Sequence, residues 1–147
     1  MITPAPKITL ARYWNGHDSK YAADLTDEIR VQAAVTVERA NRFLDMYSSQ
    51  TGDFRHRNVN SGWRPKTVNE AIYKALKKPV RTGSNHLFGR AVDIGDEDGS
   101  LDEFAESRTG LVALELCGLW LEHPDHTPRW CHVQTVPPRS GNRVFIP

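Results

Sequence analysis

Cysteine is scarce in this sequence, with only Cys117 and Cys131 among 147 residues. That scarcity excludes a small secreted fold stapled by several disulfides. The start, MITPAPKITLARYW, has neither the cationic stretch nor the apolar stretch of a secretory signal. Both cysteines are therefore expected as free thiols in a chain synthesised in the cytoplasm. No apolar run reaches the roughly 18 to 20 residues a membrane-crossing helix needs, so no membrane insertion is expected. An excess of one charge is missing as well: 19 Lys and Arg stand against 18 Asp and Glu, a net charge of +1. No nucleic-acid partner is implied, because that requires a cationic face. Internal repeats and low-complexity segments are also absent. The length fits one domain over residues 1–147 with a single core, and nothing argues against a monomer.

What is present is a pattern of helices interleaved with short strands. From Leu25 to about Ser48, Ile29, Ala33, Val37, Ala40, Leu44 and Tyr47 recur in steps of three and four, which stacks them on one helical face. Thr51-Gly52 should end that helix. The region around Val59 reads as a short strand entering a turn at Gly62. TVNE, from Thr67, and SLDE, from Ser100, have the form of capping boxes. The first predicts a helix to Lys77 or Lys78, stopped by Pro79. The second predicts a helix to about Leu119 with a break at Thr109-Gly110. RAVDIG and WCHVQTV read as buried strands, and the proline-bearing ends read as arms along the surface. Since no regular βαβ period emerges, the expected class is α+β with a small, mainly antiparallel sheet. The acidic stretch DIGDEDG does not fit a calcium-binding EF-hand and reads as a solvated loop.

The segment SNHLFGRAVDI places His86 seven positions before Asp93. On a straight strand two such residues would stand more than about 20 Å apart, so a shared ion requires a bend. Gly89 can supply it by adopting positive φ. A third ligand is needed, and His132 is the best candidate; on its strand it shares a face with Trp130 and Gln134, whereas Cys131 points away. Two imidazoles and one carboxylate suit Zn²⁺ and leave one coordination position open, as catalytic zinc sites do.

The order SGWR (Ser61 to Arg64), S-x-H-x-x-G-x-A-x-D (Ser84 to Asp93) and WCH (Trp130 to His132) resembles the zinc D-alanyl-D-alanine carboxypeptidases and related peptidoglycan peptidases of the Hedgehog/DD-peptidase fold. The central motif arises by chance in a chain of this size on the order of once in ten thousand. PKITLARYW and PPRSGNRVFIP extend the similarity toward the small phage and prophage members. The resemblance implies zinc on His86, Asp93 and His132, Arg64 over the scissile carbonyl, and Ser84 positioning substrate. It also implies a general base two or three residues before the last ligand, where this chain has Trp130 and Arg129, neither of which accepts a proton. The nearest carboxylates are Glu122 and Asp125, and either could serve. The expected function is a zinc metallopeptidase acting on peptidoglycan stem peptides, as a D-Ala-D-Ala carboxypeptidase or an L-Ala-D-Glu endopeptidase. It would reach the cell wall, for instance in phage lysis, through delivery by another factor. The opposing expectation is a zinc-binding phage structural or wall-binding module without turnover.

Overall fold

The computed structural model describes residues 7–147; the expected N-terminal arm, with Pro4 and Pro6, lies outside the described residues. Two short helices come first, α1 (Leu10–Trp14) and α2 (His17–Lys20). The long helix α3 spans Asp27–Thr51. The Thr26 hydroxyl accepts from the Ile29 N–H at its start, and Gly52, at φ 74°, closes its end. Both devices satisfy backbone groups that a helix terminus leaves unpaired. The expected apolar face is the buried one, with Ala33, Val37, Ala40, Leu44 and Tyr47 joined by Phe43.

Five strands follow: β1 (Val59–Ser61), β2 (Ala91–Gly95), β3 (Trp120–Glu122), β4 (Trp130–Gln134) and β5 (Val144–Phe145). They form one sheet in the order β1-β2-β4-β3-β5. Every pairing is antiparallel except β3 with β5. The molecule is thus α+β with a small, mainly antiparallel sheet. The C-terminal segment is more than a surface arm, because it supplies the edge strand β5. No helix is long and apolar enough to cross a membrane among the described residues.

Helices α4 (Lys66–Ala75), α5 (Ser100–Glu106) and α6 (Arg108–Cys117) complete the fold. Their ends correct three expectations. Thr67 does not cap α4: the helix begins directly after Pro65, because the Arg64 N–H is tied to the His86 carbonyl at 3.0 Å and fixes where the chain enters. Ser100 does not cap α5 either. Asp98 accepts from the Ser100 N–H, and Asp96 accepts from the Leu101 and Asp102 N–H groups at 3.0 and 2.8 Å. Carboxylates make stronger charge-assisted bonds than a hydroxyl does. Asp96 is consequently fully buried, so the acidic stretch is only partly a solvated loop. The helix break falls at Ser107, whose hydroxyl caps α6 at the Gly110 N–H. Gly110 serves a different purpose, since a Cβ there would lie 1.7 Å from the Phe104 carbonyl oxygen.

One sheet face carries Val92, Ile94, Cys131 and Val133, which join residues of α3, α5 and α6 in the core. Burying that face is the main stabilising term of the sheet. Both cysteines are free and buried, as expected. The opposite face carries Asp93, His132 and Gln134 among Ala91, Trp120, Trp130 and Phe145.

Candidate functional site

Antiparallel strands place directly opposed residues on the same face, with Cβ atoms about 4.5 to 5.5 Å apart. Ser61 opposes Asp93, and Asp93 opposes His132. Trp120 opposes Gln134 and Leu121 opposes Val133, a register that carries Glu122 opposite His132. Ser61, Asp93, His132 and Glu122 therefore form one row across four strands. His86 joins the row from a 3-10 turn, Asn85–Phe88, that ends on Gly89 at φ 72°. The predicted bend is present, and Gly89 has no room for a side chain: a Cβ would lie 3.0 Å from the Ile29 carbonyl oxygen on α3. The Thr36 hydroxyl fastens the same residue by donating to the Gly89 carbonyl at 2.7 Å.

His86, Asp93 and His132 are all buried, and one ligand atom from each lies within 4.8 Å of the others. Asp93 Oδ1 is 2.8 Å from His132 Nδ1, and Asp93 Oδ2 is 3.3 Å from His86 Nε2. The outward nitrogens fix both imidazole tautomers. His86 Nδ1 lies 2.8 Å from the Gly62 carbonyl, which can only accept, so this nitrogen carries the proton and Nε2 keeps a lone pair. His132 Nε2 lies 3.0 Å from Gln134 Oε1, and the Gln134 amide nitrogen donates to the Val136 carbonyl at 2.9 Å. The glutamine is thereby held as an acceptor toward His132, and the lone pair of His132 falls on Nδ1. Two imidazole lone pairs aimed at one buried carboxylate repel it unless a positive charge lies between them.

Either a proton or a cation can supply that charge. Burial works against ionised Asp93, but His86 and His132 outweigh it and hold the carboxyl well below the usual range. Burial likewise disfavours a charged His132, yet the hydrogen bond and charge of Asp93 raise its pKa on balance. Burial dominates at His86 and lowers it, keeping that ring neutral. A proton shared between His132 and Asp93 and a metal ion bound by all three groups are thus alternative sources of the same positive charge. The donor set, the fixed tautomers and the outward hydrogen bonds fit a metal ion.

Arg64 borders the cluster, with Nη2 3.2 Å from Asp93 Oδ2 and Nε donating to the Ser61 hydroxyl at 2.8 Å. Two cavities flank Arg64 and Trp63, of about 210 and 300 Å³. Glu122 is half-buried; burial raises its pKa most, while the charge of His132 opposes the rise and that of Asp93 adds to it. Asp125 lies apart on the 3-10 turn Pro124–His126, with 84% of its side chain exposed and its carboxylate 3.6 Å from His123. Arg129 turns outward to pair with Glu97. Ser84 precedes the turn that carries His86, and its carbonyl accepts from the Leu87 N–H.

Gln134 was legible only as a residue sharing the face of His132; its role in setting the tautomer depends on the bond to Val136 beyond the strand. A second group, His56, Asp96 and Asp98, also has ligand atoms within 4.8 Å. Its carboxylates are already engaged in capping α5, and His56 is hydrogen-bonded to Ser100 and Gly95. That group is a helix cap. Comparison of the chain with protein-family models, curated proteins and solved structures gives no match. The functional reading therefore stands on the site's own geometry and on the motif it contains.

Proposed function

We propose that the protein is a zinc metallopeptidase of the Hedgehog/DD-peptidase type that hydrolyses an amide bond in bacterial peptidoglycan stem peptides. The observation that carries this reading is the row Asp93–His132–Glu122, which sets a carboxylate beside a three-ligand cluster whose lone pairs converge. His86 Nε2, Asp93 and His132 Nδ1 would hold the metal. Zinc in such a site supplies Lewis acidity and makes water available as a nucleophile near neutral pH.

The chain's own groups account for the remaining chemistry. Glu122, opposite His132, accepts the proton of the attacking water and passes it to the leaving amine as the amide C–N bond breaks. The raised pKa of Glu122 suits a group that must both take and return a proton. Asp125 is solvated beside His123 and has no part in this cycle. Arg64, held by Ser61 and Asp93, presents its guanidinium to the oxyanion that develops on the substrate carbonyl, a contribution worth roughly 100 to 1000 fold when one such donor is removed. Ser84 borders the approach to His86 and positions substrate. The enzyme acts as a monomer at the cell wall.

Incubating the zinc-loaded protein with purified sacculi and identifying released peptides by mass spectrometry tests the reading. New amine and carboxyl termini should appear, vanish with chelator, and fall by about 100 to 10,000 fold in Glu122→Gln, whereas Asp125→Asn retains turnover. Tight binding to sacculi with no released peptide would replace the peptidase with a wall-binding module. The masses also separate carboxypeptidase from endopeptidase cleavage.

A further inference from the structure

Strand β1 lies at an edge of the sheet, with β2 on one side and no strand on the other. Asn58, just before it, accepts from the Gly95 N–H at 2.9 Å. Asn58 therefore faces β2, and Val59, the next residue, turns its N–H and C=O the opposite way. No side chain or loop bonds either group among the described residues. The register then shifts between Val59 and Ser61, which sets Ser61 opposite Asp93. A bulge of this kind re-aims a side chain, here toward the ligand cluster.

The smaller cavity beside Arg64, of about 210 Å³, lies against this free edge, and residues 59–64 line it without a gap. Successive side chains of a strand point to opposite faces, so a cavity that touches every residue in turn runs along the backbone and not over one face of the sheet. Val68 and Ile72 of α4, with Asn15 and His17 from the start of the fold, complete the lining. No carboxylate is among these residues, and the one full charge, Arg64, is paired with Asp93 at 3.2 Å. Burial, and then Lys20, lower the pKa of His17 against the pull of Asp18, so its ring is neutral near pH 7. The cavity thus offers a free backbone donor and acceptor, uncharged polar groups and an apolar wall. An extended peptide matches each of them, because every residue brings one donor, one acceptor and a side chain without net backbone charge. The same lining reaches the cluster, since Arg64 is bonded to Ser61 and to Asp93.

We infer that the free edge of β1 is the docking strand for substrate: an extended peptide segment flanking the scissile bond adds to the sheet at Val59, lies against Val68 and Ile72, and reaches the ligand cluster past Ser61 and Arg64. The inference rests on the peptidase reading and deepens it. Recognition then runs through the substrate backbone, and only a chain that can extend beside β1 fits the site.

Hydrogen exchange at the Val59 amide and calorimetric titration test the docking strand in the zinc-loaded, full-length Glu122→Gln protein, without turnover. The probe is the pentapeptide L-alanyl-γ-D-glutamyl-L-lysyl-D-alanyl-D-alanine, which contains both candidate bonds, together with analogues N-methylated at one amide each. The parent peptide at saturation should slow Val59 exchange by about tenfold or more. Methylation of the amide that donates to the Val59 carbonyl should weaken binding about fivefold or more, the scale of one lost hydrogen bond, while methylation of its neighbours leaves affinity unchanged. Val68→Trp, which fills the cavity from α4, should lower affinity by about tenfold and retain the native zinc content. Unchanged Val59 exchange, equal affinity for all the analogues, native affinity in Val68→Trp, or no binding of any peptide would each overturn the docking strand. If the native protein cuts sacculi while Val59 stays unprotected, the docking strand alone fails. If Val59 is protected while sacculi stay intact, the strand stands as a peptide-binding edge and the peptidase reading fails.

Discussion

Replacing Gln134 with leucine isolates the part of the site that sets the imidazole tautomer. In the native protein Gln134 Oε1 accepts from His132 Nε2 at 3.0 Å, and the glutamine amide is itself anchored on Val136 at 2.9 Å. Leucine fills a similar volume but offers no acceptor. His132 then has two options. It can keep its proton on Nε2 as a buried, unpaired donor, which costs about 1 to 3 kcal/mol. Alternatively it can move the proton to Nδ1, the nitrogen facing Asp93, and lose the lone pair that a metal needs. Both options oppose metal binding, so zinc affinity should fall by about 10 to 100 fold, equivalent to roughly 1.4 to 2.8 kcal/mol. Gln134→Glu retains an acceptor and should hold affinity at or above the native value. Competition against a chromophoric chelator at neutral pH measures both variants. If Gln134→Leu binds zinc within about twofold of the native protein, the tautomer argument is wrong, because even the low end of the range predicts a tenfold change.

Two further predictions concern stability. Gly110→Ala drives a Cβ to 1.7 Å from the Phe104 carbonyl oxygen, a backbone atom that cannot move without opening the α5–α6 corner. It should destabilise the protein by about 3 kcal/mol, read as a lowered denaturation midpoint; an unchanged midpoint would show that the corner is plastic. Asp102 is buried, one of its oxygens has no partner, and its pKa is pushed up to about 7, first by burial, then by the charges of Asp96, Glu106 and Glu122, against a hydrogen bond with Cys131. The folded state retains a proton there that the unfolded chain releases near pH 4, so this contribution is complete at acid pH and declines between about pH 4 and 7, by up to about 4 kcal/mol. Asp102→Asn should flatten that decline in urea unfolding across this range, and an unaltered pH profile would contradict the assignment.

The ligand cluster was legible because its information is local: His86, Gly89 and Asp93 lie in eight residues, and the bend between them requires a residue that tolerates positive φ. The long helix was legible for the same reason, since its apolar period repeats over many turns. The helix starts at Thr67 and Ser100 were misread because tertiary ties decided them. Arg64 bound to His86 sets the entry to α4, and two aspartates displace the Ser100 hydroxyl at α5. The strand holding Glu122 had no local signature. It is three residues long, follows closely on an apolar helix, and acquires its identity only from neighbours 12 to 23 residues away in the chain. Glu122 could therefore be named as a carboxylate near the last ligand, but it could not be separated from Asp125 until the register was known.

That register also decides which side chain of β3 faces the cluster. A slip of one residue in β3 would turn Leu121 toward the cluster and Glu122 away from it. Several contacts oppose the slip. Leu121 is fully buried, the Leu121 N–H donates to the Arg143 carbonyl at 2.8 Å, and the His123 N–H donates to the Phe145 carbonyl at 2.7 Å. Arg143 adds a stacking contact over Trp120 at 4.4 Å and donates to the Leu119 carbonyl at 2.9 Å. The edge strand β5 thus clamps the strand that bears Glu122, while His86, Asp93 and His132 sit on the turn before β2, on β2 and on β4, and His132 also meets the Phe145 ring edge-on. Removing residues 143–147 should separate the two functions: zinc stoichiometry is retained, but hydrolysis of sacculi falls by about 100 fold or more as Glu122 loses its fixed position. Elemental analysis and peptide release on the same folded preparation measure both. If the truncated protein remains folded and cuts at the native rate, β5 does not set the position of Glu122; if it loses zinc as well, the clamp acts on the whole site.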